Sequence, residues 1–267
     1  MRLKFGKYEG AGNDFVIIDN RGLHLDPAPQ WVAAVCDRRF GIGADGLMLL
    51  EEDPHHLFRM RYFNSDGPEA TMCGNGGRCI TLFAAHAGVA ANDRIVFSAM
   101  DGLHAATLLA RTDDGATVSL GMRDAACPEP LLDGWFVDTG SPHFVRYERN
   151  IDAMDVFAEG RRLRTLPEFV SRGGSNFNFV EPEGDLLRVR TYERGVEDET
   201  LACGTGAVAV AVTTAAVRRP DCTHFRIGAR GGLLEVSFRR EGNLFRDIRL
   251  TGPARRVFSG ELNTENF

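Results

Sequence analysis

Apolar and polar positions alternate over short stretches of the chain, and this period of two is typical of half-buried β-strands. The stretches with this pattern cover residues 15–19, 57–62, 95–98, 117–120, 186–192 and 233–238. The pattern therefore predicts a protein built largely from short strands.

Two longer stretches, rich in alanine and valine, break the alternation. They cover residues 76–87, followed by Gly88, and residues 206–219, followed by Pro220. Glycine and proline commonly stop helices, so both stretches are predicted to be helical. Their apolar residues lie on all sides and not along one stripe, so we expect each helix to be buried inside a sheet.

An internal repeat with a period of 130 residues relates the two stretches. Phe15-Val16 matches residues 144–145 at an offset of 129, and residues 102–103 match residues 232–233 at 130. The other matched pairs, all 130 apart, are Tyr62 and Tyr192, Glu69 and Glu199, Cys73 and Cys203, Gly74 and Gly204, and Gly76 and Gly206.

The repeat predicts an α+β protein with two pseudo-symmetric domains, each a mostly antiparallel sheet wrapped around a central helix. We expect the N-terminal half to span residues 1–122 and the C-terminal half residues 123–249. The stretch from about residue 250 to 267 is expected to return to the first half.

The composition of the chain limits the classes of binding partner and the cellular compartment that we expect. The 267 residues carry a net charge of −6, from 31 Lys and Arg against 37 Asp and Glu, so a nucleic-acid partner is not expected. No apolar run reaches the roughly 18 residues of a membrane span, and the N-terminus lacks a run of signal-peptide length. Six cysteines are too few for a disulfide scaffold, so a cytoplasmic protein with reduced thiols is expected.

The candidate chemistry lies just before each predicted helix, in the tetrapeptides CGNG, beginning at Cys73, and CGTG, beginning at Cys203. Unpaired N–H groups and the dipole at a helix N-terminus favour negative charge, so they stabilise a thiolate and bind a carboxylate. One such motif alone is equally typical of packing glycines and an inert cysteine. Two copies related by the repeat favour a site that holds two thiols and two helix N-termini.

Two thiols suit the inversion of a carbon centre without a cofactor. Inversion needs a base on one face of the carbon and an acid on the other, and a thiolate and a thiol form such a pair. The carbanion must then be stabilised by fixed N–H donors in a dry site. The cysteines Cys36, Cys79, Cys127 and Cys222 are expected to be structural, and no spacing predicts a zinc site.

The motifs of the chain resemble those of the diaminopimelate epimerases, cofactor-independent enzymes that interconvert LL- and meso-2,6-diaminopimelate. The resemblance extends over essentially the whole chain and rests on GAGNDFVIID, FGIGADGL, FNSDG, MCGNGGRC, TGSPHFV, SNFNFV, YERGVEDETLACGTG and TGPA. Proline racemases, which also use two cysteines, typically have His at the position of Asn75. Phenazine-biosynthesis-type isomerases lack the cysteine pair.

The resemblance implies an epimerase of lysine and peptidoglycan precursor biosynthesis that needs no cofactor, acts on a small amino acid and forms a homodimer. It implies that Cys73 and Cys203 are the acid/base residues and that His143 and Glu193 tune their protonation. The substrate-binding residues that it implies are Asn13, Asn64, Gly74, Asn75, Asn176, Glu193, Arg194, Gly204 and Thr205.

Several of these residues are also typical of other roles. Asn64 suits a turn, His143 suits a surface loop, and the neighbours Glu193 and Arg194 suit a solvated ion pair. The chain also departs from the family pattern, with Gly46 where some members have Gln and Ser141 where many have Asn. The same machinery acting on another amino acid, such as histidine, is the nearest alternative; a thiol-redox or metal-binding protein and an inactive binding module are more distant ones.

Overall fold

The computed structural model describes residues 1–71 and 73–267, and Met72, the first residue of the MCGNGGRC motif, lies outside them. The chain forms two structural units. Unit 1 consists of Met1–Leu120 and Gly252–Phe267, and unit 2 consists of Gly121–Thr251. Both are built mainly from strands around a helix, so the predicted α+β class is confirmed.

Unit 1 contains eight strands of its own, two α-helices and a 3-10 turn at Thr264–Asn266 among the described residues. The strands are β1 (Arg2–Gly10), β2 (Asn13–Asp19), β3 (Gly46–Glu51), β4 (Arg59–Asn64), β5 (Glu69–Ala70), β6 (Arg94–Ala99), β7 (Gly102–Arg111) and β8 (Gly115–Gly121). The helices are α1 (Pro29–Cys36) and α2 (Gly74–His86).

Unit 2 begins with shorter strands and carries three α-helices and a 3-10 turn at Ile151–Ala153. Its strands are β9 (Ala125–Ala126), β10 (Glu129–Leu131), β11 (Gly134–Asp138), β12 (Pro142–Tyr147), β13 (Asn176–Glu183), β14 (Leu186–Glu193), β15 (Asp198–Thr200), β16 (His224–Ala229) and β17 (Gly232–Glu241). Its helices are α3 (Val156–Arg164), α4 (Pro167–Val170) and α5 (Gly204–Val217).

The two units repeat the same order of strand pairings. In unit 1 the pair β1–β2 is antiparallel, β2–β3 parallel, β3–β4 antiparallel, β4–β6 parallel and β6–β7 antiparallel. In unit 2 the series β11–β12, β12–β13, β13–β14, β14–β16 and β16–β17 follows the same sequence of directions. The repeat seen in the sequence is therefore a repeat of topology.

A helix lies at the centre of each unit. Helix α2 packs on β1, β2, β3 and β7, and α5 packs on β11, β12, β13, β16 and β17. Val208, Val210 and Val212 of α5 are all fully buried, as the apolar character of this stretch predicted. Both helices begin two residues before their predicted starts, so that Cys73 and Cys203 become the N-cap residues.

A long strand, β18 (Leu244–Asn263), belongs to both units. Its first part pairs with β17 and β9 in unit 2, and from Gly252 onward it pairs with β8 and β1 in unit 1. Asn263 is paired with Arg2, so residues at opposite ends of the sequence complete the sheet of unit 1.

Candidate active site

Cys73 caps the N-terminus of α2 in unit 1. Its Sγ accepts a hydrogen bond from the Gly76 amide at 3.2 Å, and its carbonyl accepts from the Gly77 amide at 2.8 Å. The thiol is partly exposed, whereas Gly74 and Asn75, the first residues of the helix, are buried. A sulfur that accepts an amide hydrogen bond at a positive helix end is favoured as a thiolate.

Asn13 lies beside this thiol. Its Nδ2 donates to Asp45 Oδ2 at 2.6 Å, so its Oδ1 faces the other way. Asn75 Nδ2 donates to that Oδ1 at 3.3 Å, and Cys73 Sγ is 3.9 Å from it. The structure thus brings the predicted residues Asn13, Cys73 and Asn75 into one cluster.

Asp45, which the sequence motifs did not single out, is held in place by a network of charges. Arg38 bridges Asp45 at 2.6 Å and Asp14 at 2.7 Å, and Lys7 pairs with Asp14 at 2.8 Å. Burial alone raises the pKa of the Asp14 carboxyl, but the hydrogen bonds and charges of Arg38 and Lys7 outweigh it and hold that pKa well below its usual range. The network keeps Asp45 in position to orient Asn13.

Arg78 is a second residue that the sequence did not suggest. Its side chain is fully buried and donates to the carbonyl oxygens of Gly74 and Pro253, both at 3.2 Å, and to Asn75 Oδ1 at 2.9 Å. Burial lowers the pKa of its guanidinium, since the low dielectric of the interior disfavours a cation. A buried cation therefore supports the first turn of α2 directly behind Cys73.

Asn64 is the last residue of β4 and borders the turn that follows it. Its backbone N–H donates to the Pro68 carbonyl at 3.0 Å, and its carbonyl accepts from Gly67 at 2.9 Å. The side chain is exposed and forms no hydrogen bond within the described part of the chain. A substrate-binding role for Asn64 stays a prediction.

Cys203 is the N-cap of α5 in unit 2. Its Sγ lies 3.5 Å from Thr205 Oγ1, and its carbonyl accepts from the Ala207 amide at 2.9 Å. Thr139 Oγ1 donates to the Thr205 carbonyl at 2.9 Å and fixes this first turn from outside. The amides of Gly204 and Thr205 are at the open end of the helix, where N–H groups lack helical partners and suit a carboxylate.

His143 is buried beside this thiol. Its Nε2 lies 2.9 Å from Thr205 Oγ1 and 3.0 Å from Ser141 Oγ, and its Nδ1 lies 3.1 Å from Asn178 Nδ2. Burial, and next the positive charge of Arg194, lowers the pKa of the His143 ring to about 3. The ring is therefore neutral at physiological pH, and His143 is not in a surface loop.

This depressed pKa predicts acid sensitivity. The unfolded ring takes up a proton near pH 6.5 while the folded ring stays neutral, so its contribution to stability is complete above about pH 6.5 and is lost as the pH falls toward 3. Between about pH 7.5 and 5, the wild-type protein should lose about 2 kcal/mol more of its unfolding free energy than His143→Gln loses. Urea denaturation at both pH values measures this. His55→Gln, at an exposed histidine, is the control and should follow the wild type; equal losses in wild type and His143→Gln would contradict the expectation.

Asn176, the first residue of β13, forms hydrogen bonds to the start of β12 and to the residue that follows β14. Its Nδ2 donates to the Pro142 carbonyl at 3.0 Å, and its Oδ1 accepts from the Arg194 amide at 2.9 Å. The exposed Arg194 side chain donates to the Gly173 carbonyl at 3.0 Å, and Glu193 accepts from Thr200 Oγ1 at 2.8 Å. The side chains of Glu193 and Arg194 thus contact different partners, Thr200 and Gly173.

The two departures from the family pattern have different surroundings. A Cβ at Gly46 would lie 2.5 Å from Tyr62 Cε2 and 2.6 Å from the Phe63 carbonyl oxygen, so Tyr62 fills the space that a side chain at position 46 would need. Ser141 keeps a polar function, because its Oγ contacts His143, Thr205 Oγ1 at 3.1 Å and Asn176 Nδ2 at 3.4 Å.

Asn178 is a functional candidate that the motifs contained but that was not singled out. It follows Asn176 by two residues on β13, and alternate residues of a strand share a face. The spacing of two residues from Asn176 was therefore the signal in the sequence that could have pointed to Asn178.

Within residues 1–71 and 73–267, no group of three His, Cys, Asp or Glu side chains is suited to hold a metal ion. No helix in the same ranges is long and apolar enough to cross a membrane.

Comparison with protein families gives a match over most of the chain. The family model described as diaminopimelate epimerase matches residues 5–124 and 135–257. The chain belongs to the diaminopimelate epimerase family. Among its relatives, the diaminopimelate epimerase of Flavobacterium psychrophilum is 45% identical over 96% of this chain and 98% of that protein. That of Chlorobaculum tepidum is 42% identical over 95% and 98%, and that of Aquifex aeolicus is 36% identical over 98% and 99%. The resemblance found in the motifs is thereby confirmed.

Solved structures show that this family shares its fold with other proteins. A phenazine biosynthesis protein of the PhzF family from Bacillus anthracis has a TM-score of 0.75 and 13% identity, over 98% of this chain and 99% of that one. A probable proline racemase from Agrobacterium radiobacter K84 has a TM-score of 0.71 and 14% identity, over 98% and 93%. At these identities the likeness concerns the fold alone.

Proposed function

We propose that this member of the diaminopimelate epimerase family interconverts LL- and meso-2,6-diaminopimelate by two-base proton transfer at an α-carbon. The observation that carries the proposal is the position of Cys73 and Cys203, each an N-cap of the central helix of its unit. The names of the relatives give the substrate, and the helix N-termini supply N–H donors for its carboxylate.

In the proposed mechanism, one cysteine acts as a thiolate and removes the α-proton while the other acts as a thiol and delivers a proton to the opposite face. The negative charge that develops on the carboxylate is stabilised by the amides of Gly74, Asn75, Gly204 and Thr205. A pre-positioned N–H donor costs no reorganisation when charge develops, which is why helix ends suit this role. The reaction as proposed needs no cofactor.

The remaining site residues are proposed to bind and orient the substrate or to tune the thiols. Asn13 and Asn176, each held by hydrogen bonds of its own, present fixed amide groups. Arg194 has a planar fork of donors that suits a carboxylate, and Asn64 and Glu193 complete the binding set. His143 and Glu193 are proposed to tune the protonation of the cysteines. The enzyme would serve lysine and peptidoglycan precursor synthesis in the cytoplasm.

Incubation with LL-diaminopimelate in D₂O tests the reaction. Because a thiol exchanges its proton with solvent, the meso product should carry one deuterium, at the inverted α-carbon, with no pyridoxal phosphate added. Product without solvent deuterium, or turnover that depends on added pyridoxal phosphate, would refute the mechanism. A parallel panel of other amino acids, histidine included, tests the substrate, because exchange with another amino acid and none with diaminopimelate would leave the mechanism and refute the specificity.

We further propose that the enzyme is a homodimer that uses the exposed apolar residues of β18. Val257 and Phe258 are 49% and 46% exposed, and the Phe258 ring packs edge-on against Phe5 with centroids 5.9 Å apart. Phe258→Asp is expected to shift the protein from dimer to monomer in sedimentation velocity, since a carboxylate is costly to bury. Leu132→Asp, at an exposed apolar residue of unit 2, is the control and should stay dimeric. A monomeric wild type would end the proposal.

A further inference from the structure

Asn178 lies against one ring nitrogen of His143, and the contacts of its amide bear on which nitrogen carries the hydrogen. Both side chains are fully buried, and Asn178 Nδ2 lies 3.1 Å from His143 Nδ1. The distance alone does not distinguish donor from acceptor, because either nitrogen of a neutral imidazole can be protonated. The other contacts of Asn178 make the distinction.

The Asn178 amide has one orientation that satisfies its neighbours. Its nitrogen lies 3.0 Å from the Phe144 carbonyl oxygen, which can only accept, and its Oδ1 lies 3.0 Å from Thr191 Oγ1, which can donate. A flipped amide would place two acceptors against each other at Phe144. The amide nitrogen therefore faces the carbonyl with one hydrogen and His143 Nδ1 with the other.

An amide nitrogen donates and does not accept, so His143 Nδ1 must carry a lone pair. The ring hydrogen is then on Nε2. A protonated Nδ1 would point its hydrogen at the hydrogens of Asn178, and burial with the charge of Arg194 also disfavours the imidazolium. His143 is thus a neutral ring that donates from Nε2, and it is not poised to accept a proton from a thiol.

The donation from Nε2 orients the hydroxyl next in line. Two hydroxyls face Nε2, Thr205 Oγ1 at 2.9 Å and Ser141 Oγ at 3.0 Å. When Thr205 Oγ1 accepts the Nε2 hydrogen, it keeps its own hydrogen for another acceptor. Cys203 Sγ, 3.5 Å from Thr205 Oγ1, is such an acceptor when it is a thiolate. The hydrogen bonds then run in one direction, from Asn178 through His143 and Thr205 to Cys203.

Asn178 packs closely against Gly206 in the first turn of α5. A Cβ at Gly206 would lie 2.6 Å from Asn178 Oδ1 and 3.3 Å from Cys203 Sγ. Glycine at this position lets the amide approach the first turn of the helix that Cys203 caps. Close approach of a buried amide to this turn requires both residues, Asn178 and Gly206.

We propose that Asn178 is a positioning residue that keeps His143 a neutral Nε2–H donor and so aims the Thr205 hydroxyl at Cys203 Sγ. The proposal rests on the proposed function in giving Cys203 an acid/base role. A hydrogen bond donated to the sulfur favours the thiolate, so the chain of donors selects the form of Cys203 that can remove a proton.

Nitrogen NMR of ¹⁵N-histidine-labelled protein tests the first half. The His143 signals are assigned by their loss in His143→Gln. In the wild type at neutral pH, Nδ1 should be unprotonated and Nε2 protonated; a protonated Nδ1, alone or in an imidazolium, would overturn the proposal. In Asn178→Asp, an acceptor-only side chain of the same shape, the hydrogen should move to Nδ1, and an unchanged spectrum would equally overturn it. The wild-type spectrum decides the tautomer even where that variant fails to fold.

Alkylation of Cys203 by iodoacetamide, followed by peptide mapping at a series of pH values, tests the second half. In Thr205→Val, which keeps the shape and removes the hydroxyl, the midpoint should rise by about one to two pH units. Thr205→Ser keeps a hydroxyl and should restore the wild-type midpoint. Equal midpoints in wild type and Thr205→Val would refute the link to Cys203. Neither measurement needs turnover, so the outcome is independent of the D₂O experiment on the proposed function.

Discussion

Cys73→Ala and Cys203→Ala are each expected to lower the rate of epimerisation by about 10²–10⁴-fold, because inversion needs both an acid and a base and a positioned one contributes that factor. Cys73 Sγ accepts an amide hydrogen bond from Gly76, whereas the Cys203 side chain does not cap α5 by a hydrogen bond. Activity is measured from the appearance of the second stereoisomer, and circular dichroism checks that the variants are folded.

The remaining thiol in each variant should still remove and return a proton on its own face. Exchange of the α-hydrogen with D₂O, without inversion, is therefore expected for one stereoisomer in Cys73→Ala and for the other in Cys203→Ala. Cys127→Ala, at a partly exposed cysteine outside both helix ends, should keep wild-type activity. Undiminished epimerisation in either of the first two variants would remove that cysteine from the mechanism.

Arg78→Met is expected to lower the free energy of unfolding by about 3 kcal/mol, since hydrogen bonds of a charged donor contribute about 1.5–3 kcal/mol each and are not additive. The substitution keeps most of the apolar stem but removes the donors to Gly74, Asn75 and Pro253. Burial of the guanidinium has a cost that methionine does not have, as the lowered pKa of Arg78 indicates, and this offsets part of the loss. Denaturant unfolding measures the difference.

Arg94→Met is the matched control for Arg78→Met. Arg94 is an exposed arginine of β6 in the same unit, and its substitution should change the unfolding free energy by less than about 0.5 kcal/mol. Equal stability of Arg78→Met and wild type would show that the desolvation of the buried cation cancels its three hydrogen bonds.

The sequence predicted the central helices because their alanine and valine residues are apolar on all sides, as a helix enclosed by a sheet requires. It placed both starts two residues late, because the apolar pattern of these stretches does not extend back to Gly74 and Gly204, whose helical state depends on tertiary packing. The 20-residue strand β18 was not predicted as a strand, because Gly252 and Pro253 interrupt its pattern. Helices α1, α3 and α4 were not anticipated from the alternation of apolar and polar residues.

Residue types at fixed spacing pointed to the cysteines, since a cap position and its glycines are local in sequence. The roles of Arg78, Asp45 and Asn178 were not predicted, because they depend on contacts with residues that are distant in the sequence. An arginine within a helical stretch usually faces water, and only the fold brings the Pro253 carbonyl to it, 175 residues away. Asp45 is identified by its hydrogen bond to Asn13, and Asn178 by its contact with His143; each pair is more than 30 residues apart in the sequence.

The shared strand β18 has a consequence for the order of folding during synthesis. Residues 252–263, which pair with β1 and β8, are made long after the rest of unit 1, whereas the residues of unit 2 form one continuous stretch. Pairing these residues with β1 closes a loop of more than 200 residues. This slows folding, because chain entropy is lost before the new contacts stabilise the structure. On the ribosome, unit 2 can therefore become complete while β1 and β8 still present unpaired edges, and those edges are where an emerging chain is most exposed to aggregation.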